Sequence, residues 1–171
     1  YFEDYVILRK GGVKVAVIGF TNANIRNWLS PELWSGMDFK SLIPFAQELV
    51  DKVKKKKKPD VVIVATHSGV GSGDGNLLEG QGMDLFNSLS GVDFVICAHD
   101  HRPVVHKNDT LCLLNAGSHC RNLGHGRLAL TVRNGRIVSR VLDGDLINID
   151  RKKVDQEMKA RFAADYKAVK A

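Results

Sequence analysis

Phe94-Val95-Ile96-Cys97-Ala98-His99-Asp100-His101-Arg102-Pro103 is the stretch whose reading decides the fold. Its first five residues form an apolar run that reads as a buried strand, and two histidines follow at once. An extended backbone points residues two apart to the same side. His99 and His101 are therefore expected to converge on one point just off the strand end, and imidazole is the commonest protein ligand for transition metals. A second unit of the same kind lies upstream: Val61-Val62-Ile63-Val64-Ala65, followed by Thr66-His67-Ser68-Gly69. The connection from Ala65 to Phe94 is long enough for a crossover with a helix. Such crossovers place parallel strands side by side or nearly so. Both strands then end at one edge of an open α/β sheet, where such sheets bind ligands. His67, His99 and His101 are predicted to share one cleft there, as metal ligands. A lone histidine at a strand end is ordinarily a hydrogen-bonded loop residue; three at two equivalent strand ends favour a site.

Working outward, Tyr5-Val6-Ile7-Leu8 and Val13 to Ile18 flank Lys10-Gly11-Gly12, a hairpin signal in which glycine supplies the turn conformation. Trp28 and Trp34 lie in a loop from Thr21 to Gly36 and are expected to anchor it to the body. From Ser41 to about Lys57 the apolar positions Ile43, Ala46, Leu49, Val50 and Val53 follow helical spacing, with Ser41 as the N-cap. Gly69 to Gly75 reads as a flexible, glycine-rich loop beside His67, suited to line a substrate entrance; it matches neither the dinucleotide nor the triphosphate fingerprint. A helix is predicted around Gly82 to Ser90. After the paired histidines come four short strands, at Val104–His106, Leu111–Leu114, Leu128–Val132 and Ile137–Leu142, the last two joined by an Asn134-Gly135 turn. The fold class is thus α/β, a parallel part followed by antiparallel strands. A single C-terminal helix is expected from Asp150 to Lys170, with Val154, Met158, Phe162, Tyr166 and Val169 as an apolar stripe. Left uncovered, that stripe would favour self-association.

Composition is that of an ordinary globular chain: 171 residues, 44% hydrophobic and 26% charged. No apolar run approaches the ~18–20 residues of a membrane span, and no secretory signal is visible at Tyr1-Phe2-Glu3-Asp4. The net charge of +6 is mostly local. Lys54 to Lys58 end a helix, where cations are favourable against the macrodipole. No aromatics are interleaved with them as a nucleic-acid surface would require, so no nucleic-acid partner is expected. Cys97, Cys112 and Cys120 show no metal-type spacing; the first two read as small core residues.

Ala98-His99-Asp100-His101, with its preceding strand and the upstream Thr66-His67-Ser68-Gly69, resembles the C-terminal half of a calcineurin-like metallophosphoesterase domain. The branch containing 5'-nucleotidases and 2',3'-cyclic-nucleotide phosphodiesterases is the nearer likeness. Gly19-Phe20-Thr21, Pro59-Asp60-Val61, Asn115-Ala116-Gly117-Ser118, Leu123-Gly124 and Arg127-Leu128 extend it over roughly residues 5 to 150. The resemblance implies a partial αββα sandwich over 1–150 and a helix over 151–171 that links to a further domain. It implies hydrolysis of nucleotide phosphoesters by a water that two divalent ions (Zn, Mn, Mg or similar) make nucleophilic. His67 and His99 would ligate one ion and His101 the other; Arg102 is a weak candidate for phosphate contact. It also suggests a periplasmic or secreted location.

The family's Asp-x-His and Gly-Asn-His-Glu motifs do not occur in this sequence. Charge leads to the same gap. Two divalent ions held about 3.5–4 Å apart call for anionic bridging ligands, and three neutral imidazoles provide none. The nearby carboxylates are Asp74, which reads as a turn residue, Glu79, and Asp100, which should face away from the histidines. Residues 1–171 alone are therefore expected to be inactive, with no catalytic residue of their own and no need to hold an ion. Two other readings stay open: a mononuclear three-histidine hydrolase, and a non-catalytic metal- or nucleotide-binding module.

Overall fold

A computed structural model of the chain describes residues 3–150 and 152–170. Eight strands form two sheets. β1 (Tyr5–Lys10) and β2 (Val13–Phe20) make the expected hairpin, with Gly11 and Gly12 both at positive φ in the turn. β3 (Val61–Thr66), β4 (Phe94–Cys97), β5 (Pro103–Lys107) and β6 (Cys112–Ala116) complete a six-stranded sheet in the order β1-β2-β3-β4-β6-β5. β2, β3, β4 and β6 run parallel; β1 and β5 are antiparallel edges. β7 (Asn122–Arg133) and β8 (Arg136–Asn148) form a separate antiparallel ribbon around the Asn134-Gly135 turn, both of whose residues have positive φ.

The period-2 pattern sorts the sheet's two faces. Ala16, Ile18, Val62, Val64, Val95 and Leu113 point to one face and are buried under α1 (Leu42–Lys57) and α2 (Gly82–Ser88). α1 contributes Leu42, Ala46, Val50 and Val53, an i, i+4, i+8, i+11 stripe that keeps one helical face against the sheet. On the other face Phe94, Cys112 and Leu114 pack with Leu128 and Leu142 of the ribbon. The ribbon comes this close because it lacks side chains at two points. A Cβ on Gly126 would lie 2.6 Å from Phe94, and one on Gly144 would lie 2.5 Å from the Cys112 sulfur. The rest of that face is open: Val6, Leu8 and Ile96 are exposed.

Asp60 and Asp93 join the layers at the edge where the parallel strands begin. Asp60 accepts from the Lys14 backbone N–H at 2.7 Å, and Asp93 from that of Val62 at 2.8 Å. Arg140 of the ribbon pairs with the Asp93 carboxylate and donates to the Asp60 carbonyl.

Several expectations need correction. Ile96 is 44% exposed, so β4 is not buried throughout: its ribbon-side face is covered at Phe94 and open at Ile96. β5 and β6 belong to the main sheet, and β6 is parallel to β4. β5 pairs antiparallel with β6 inside that sheet, and the separate antiparallel sheet is the ribbon alone, with strands far longer than the expected five and six residues. Ser41 does not cap α1 with its side chain. The buried Gln81 takes that place: its Oε1 accepts from Leu42 N–H and its Nε2 donates to Ser41 Oγ. The C-terminal helix is two helices, α3 (Gln156–Arg161) and α4 (Ala163–Lys170), broken at Phe162. Every described residue from Lys152 to Lys170 is exposed; Arg151 and Ala171 of that expected segment lie outside the described residues. No described helix is long and apolar enough to cross a membrane.

Candidate metal centre

β3 and β4 lie side by side, with Thr66 opposite Cys97 in register. Their C-terminal ends release His67 and His99 at the same edge. His67 Nε2 and His99 Nδ1 are 3.3 Å apart, with the rings edge-to-face. His101 follows two residues later, and its ring faces that of His119 with centroids 6.1 Å apart. The expected reason for the placement does not hold. His99 (φ 84°) and His101 (φ 57°) are both left-handed, so the segment is a coiled turn rather than an extended continuation of β4. Non-glycine residues in that region carry strain. Four of the six described cases cluster in this part of the molecule: His99, His101, His119 and Cys120.

Asp100 holds the turn in place. It faces away from the histidines, as expected, and its Oδ2 accepts from Val70 N–H at 2.7 Å. Its Oδ1 accepts from the buried Asn115 side chain at 2.8 Å, at the end of β6. One carboxylate thereby ties the histidine turn to the loop after His67 and to the next strand. Gly69 exists for this contact, because a Cβ there would lie 3.0–3.1 Å from the Asp100 side chain.

The glycine-rich loop is packed rather than loose. Gly69 N–H donates to the Glu79 carbonyl and receives Gly82 N–H on its own carbonyl. Gly75 N–H donates to Asp84 Oδ1. At Gly71, with φ 70°, a Cβ would sit 1.7 Å from the Gly80 carbonyl oxygen. The glycines permit close backbone crossing beside His67. Asp74 is the turn residue expected, accepting from Asn76 N–H.

Two residues against His99 were not assigned to the site from sequence. Glu79 Oε1 lies 2.7 Å from His99 Nε2, and the Trp28 ring stacks on the imidazole at 4.5 Å and 20°. A carboxylate oxygen accepts, so Nε2 carries a proton, and in the neutral imidazole Nδ1 turns its lone pair toward His67. The signal for Glu79 was its place among the few carboxylates near the histidines; its distance along the chain hid the contact. Burial pushes the Cys97 thiol, at the end of β4, up to about 12, with the Asp100 charge adding to the shift. It stays a protonated core residue, not a metal ligand.

The donor set suits a metal ion at the first pair. Two nitrogens bound to one tetrahedral ion at about 2.0–2.1 Å lie about 3.3–3.4 Å apart, the separation of His67 Nε2 and His99 Nδ1. Among the described residues no group of three or more His, Cys, Asp or Glu side chains has a metal site's arrangement. The other histidines have local partners: His106 packs edge-on to Phe86, His125 pairs with Asp145 at 3.1 Å, and His119 Nδ1 lies 2.8 Å from Ser118 Oγ.

A parallel sheet with helices on one face, carrying histidines at the ends of two neighbouring strands, sets those side chains at the edge where open α/β sheets bind ligands. Residues 2–103 match the family of calcineurin-like phosphoesterases, and the chain belongs to that family. Among its relatives, a 5'-nucleotidase of Vibrio cholerae is 30% identical over 125 residues, which cover 70% of this chain and 23% of that protein. The UshA protein of Yersinia enterocolitica is 37% identical over 68 residues, 40% of this chain and 12% of the other. The chain thus spans less than a quarter of the length of these relatives. In fold it is similar to the calcineurin-like phosphoesterase YfkN of Bacillus subtilis, with a TM-score of 0.79 at 20% identity, covering 98% of this chain and 57% of that one. It is also similar to the sulfate thiohydrolase SoxB of Thermus thermophilus, at 0.68 and 20% identity, covering 96% and 29%.

Proposed function

We propose that the protein carrying this chain is a metal-dependent phosphoester hydrolase acting on nucleotides, as a 5'-nucleotidase or 2',3'-cyclic-nucleotide phosphodiesterase. The observation that carries the reading is the 3.3 Å approach of His67 Nε2 and His99 Nδ1 at the ends of adjacent parallel strands. His67 and His99 hold one divalent ion and His101 belongs to a second. Zinc, manganese or magnesium bound there would make a water nucleophilic at neutral pH and offset charge on the phosphate oxygens. The chain's own residues supply position. Asp100 and Asn115 fix the turn that presents the histidines, and the crossed glycine backbones pack the loop beside His67. Arg102 is free to meet a phosphate oxygen from the same turn. Bridging carboxylates and the selection of a base come from outside residues 1–171, because three neutral imidazoles supply no anionic bridge and Trp28, the aromatic ring beside the pair, is stacked on His99 itself. Residues 1–150 act as the phosphate and metal unit and 151–171 as the connection to another domain. A periplasmic or secreted setting follows from the same family branch.

The test uses the full-length protein with nucleoside monophosphates and cyclic nucleotides. Chelation should abolish turnover and added zinc or manganese should restore it. His99→Ala should lower kcat at least about a thousandfold, about 4 kcal/mol of transition-state stabilisation, for every base alike. Residues 1–171 alone should turn over negligibly. Chelator-resistant hydrolysis, or a changed base preference with the rate intact, would overturn the reading.

A further inference from the structure

We propose that Glu79 and Trp28 are positioning residues that lock the His99 imidazole in the tautomer and plane needed to present Nδ1 to a metal ion beside His67; this rests on the metal-centred reading above. Three observations converge. The first is the 2.7 Å bond from His99 Nε2 to Glu79 Oε1, which leaves the proton on the nitrogen facing away from His67. The second is the near-parallel stack of Trp28 at 4.5 Å, which restricts rotation of the ring out of that plane. The third is the anchoring of both clamps. The Glu79 carbonyl accepts from Gly69 N–H at 2.9 Å, the Asn22 side-chain amide at 2.9 Å and Ser68 Oγ at 3.2 Å. Asn22 and Ser68 are fully buried, so the backbone that carries the carboxylate is fixed from inside the protein. Asn22 Oδ1 also accepts from Asn24 N–H at 2.8 Å, steadying the start of the segment that carries Trp28.

The two constraints are complementary. A hydrogen bond along the ring edge sets which nitrogen is protonated and the direction of the lone pair. A stacked indole sets the plane. Neither is redundant, because His99 sits on a left-handed backbone that by itself does not define the side chain. Histidine ligands are commonly oriented by a carboxylate on their other nitrogen, and losing that partner costs about 10- to 100-fold in metal affinity.

The test has two readouts on the full-length protein, metal-free and then titrated with zinc. Nitrogen-15 spectra of labelled histidine report the His99 tautomer before any metal is added, with His99→Asn identifying its signals. Wild type should show Nε2–H. Glu79→Ala should lose that preference and bind zinc about 10- to 100-fold more weakly, and Glu79→Gln, which keeps an acceptor oxygen, should restore the tautomer. Trp28→Ala should weaken zinc binding and Trp28→Phe should recover it. The Glu79 changes leave the main-chain carbonyl with its three donors, and melting temperature checks that the fold is intact. An Nδ1–H tautomer in wild type, or Glu79→Ala with unchanged tautomer or zinc affinity, overturns the proposal. Zinc binding unaffected by both His67→Ala and His99→Ala would instead overturn the metal reading, an outcome distinct from a failure of the Glu79 arm alone.

Discussion

The stretch from β2 to β6 and the stretch from β7 to the C-terminus are built on opposite terms. In the first, parallel strands carry two covering helices on one face, and nearly all of the buried apolar residues lie there. In the second, Gly144 is the one buried residue among those described after Asn122, and the two terminal helices bury nothing. The difference shows where precision is kept. The pair His67–His99 stands on the strands that are buried on their helix-facing side, and its supports, Asn22, Ser68, Gln81 and Asn115, are buried polar groups with hydrogen-bond partners. Satisfied polar networks inside a core specify one geometry. The ribbon serves as a cover, held by Leu128 and Leu142 against the sheet, by close approach at Gly126 and Gly144, and by the Arg140–Asp93 and Lys107–Asp143 pairs.

If that contrast is right, matched truncations should separate the regions. Leu113 is fully buried in β6, whereas Val141 is 63% exposed in β8. Leu113→Ala should cost about 3 kcal/mol in denaturant unfolding, and Val141→Ala should stay within about 0.5 kcal/mol. Equal losses would mean that the ribbon is as tightly built as the sheet.

The same contrast explains what could be read from the chain alone. β3 and β4 were legible as continuous apolar runs, and α1 because burial on a fixed face imposes a period of 3.6. The Gly11-Gly12 and Asn134-Gly135 turns were legible because positive φ restricts the residue choice. The lengths of β7 and β8 were not, because a mostly exposed ribbon exerts little selection on its apolar pattern. The break at Phe162 was likewise invisible, since the apolar stripe runs straight through it. At the site, the meeting of His67 and His99 was legible from strand topology. The left-handed turn at His99 and His101 was not, because neither residue is a glycine. Glu79 and Trp28 arrive from loops 20 and 71 residues away in sequence, a distance that no local pattern spans. The role of Gln81 at the start of α1 was hidden for the same reason.

Alkaline stability sharpens the contrast on a smaller scale. The folded Cys97 thiol ionises only near 12, because burial and then the Asp100 charge oppose the thiolate. An unfolded thiol ionises near its ordinary value, about 8.5. The unfolded chain therefore binds fewer protons above that value, and stability falls as pH rises from about 9 toward 12. By pH 10 this one group should cost about 1–2 kcal/mol. Comparison with Cys97→Ala isolates it from the lysines, since that variant should lose less stability over the same interval. Identical pH profiles would show that Cys97 does not sense the core.

The smallest effect is expected at the C-terminus. Val154, Met158, Phe162, Tyr166 and Val169 are all at least 48% exposed, so their apolar surface is not part of the domain's hydrophobic stabilisation. The last ties to the body come earlier: Ile149 N–H donates to the Arg121 carbonyl, beyond the end of β8. Asp155 caps α3 by accepting from Met158 N–H at 3.0 Å, a bond internal to the segment. Deleting residues 152–171 from this chain should therefore change its unfolding free energy by less than about 0.5 kcal/mol. It should also abolish any concentration-dependent association that the apolar stripe supports. A larger loss of stability in the monomer would place these helices against the body and remove the distinction between the two halves.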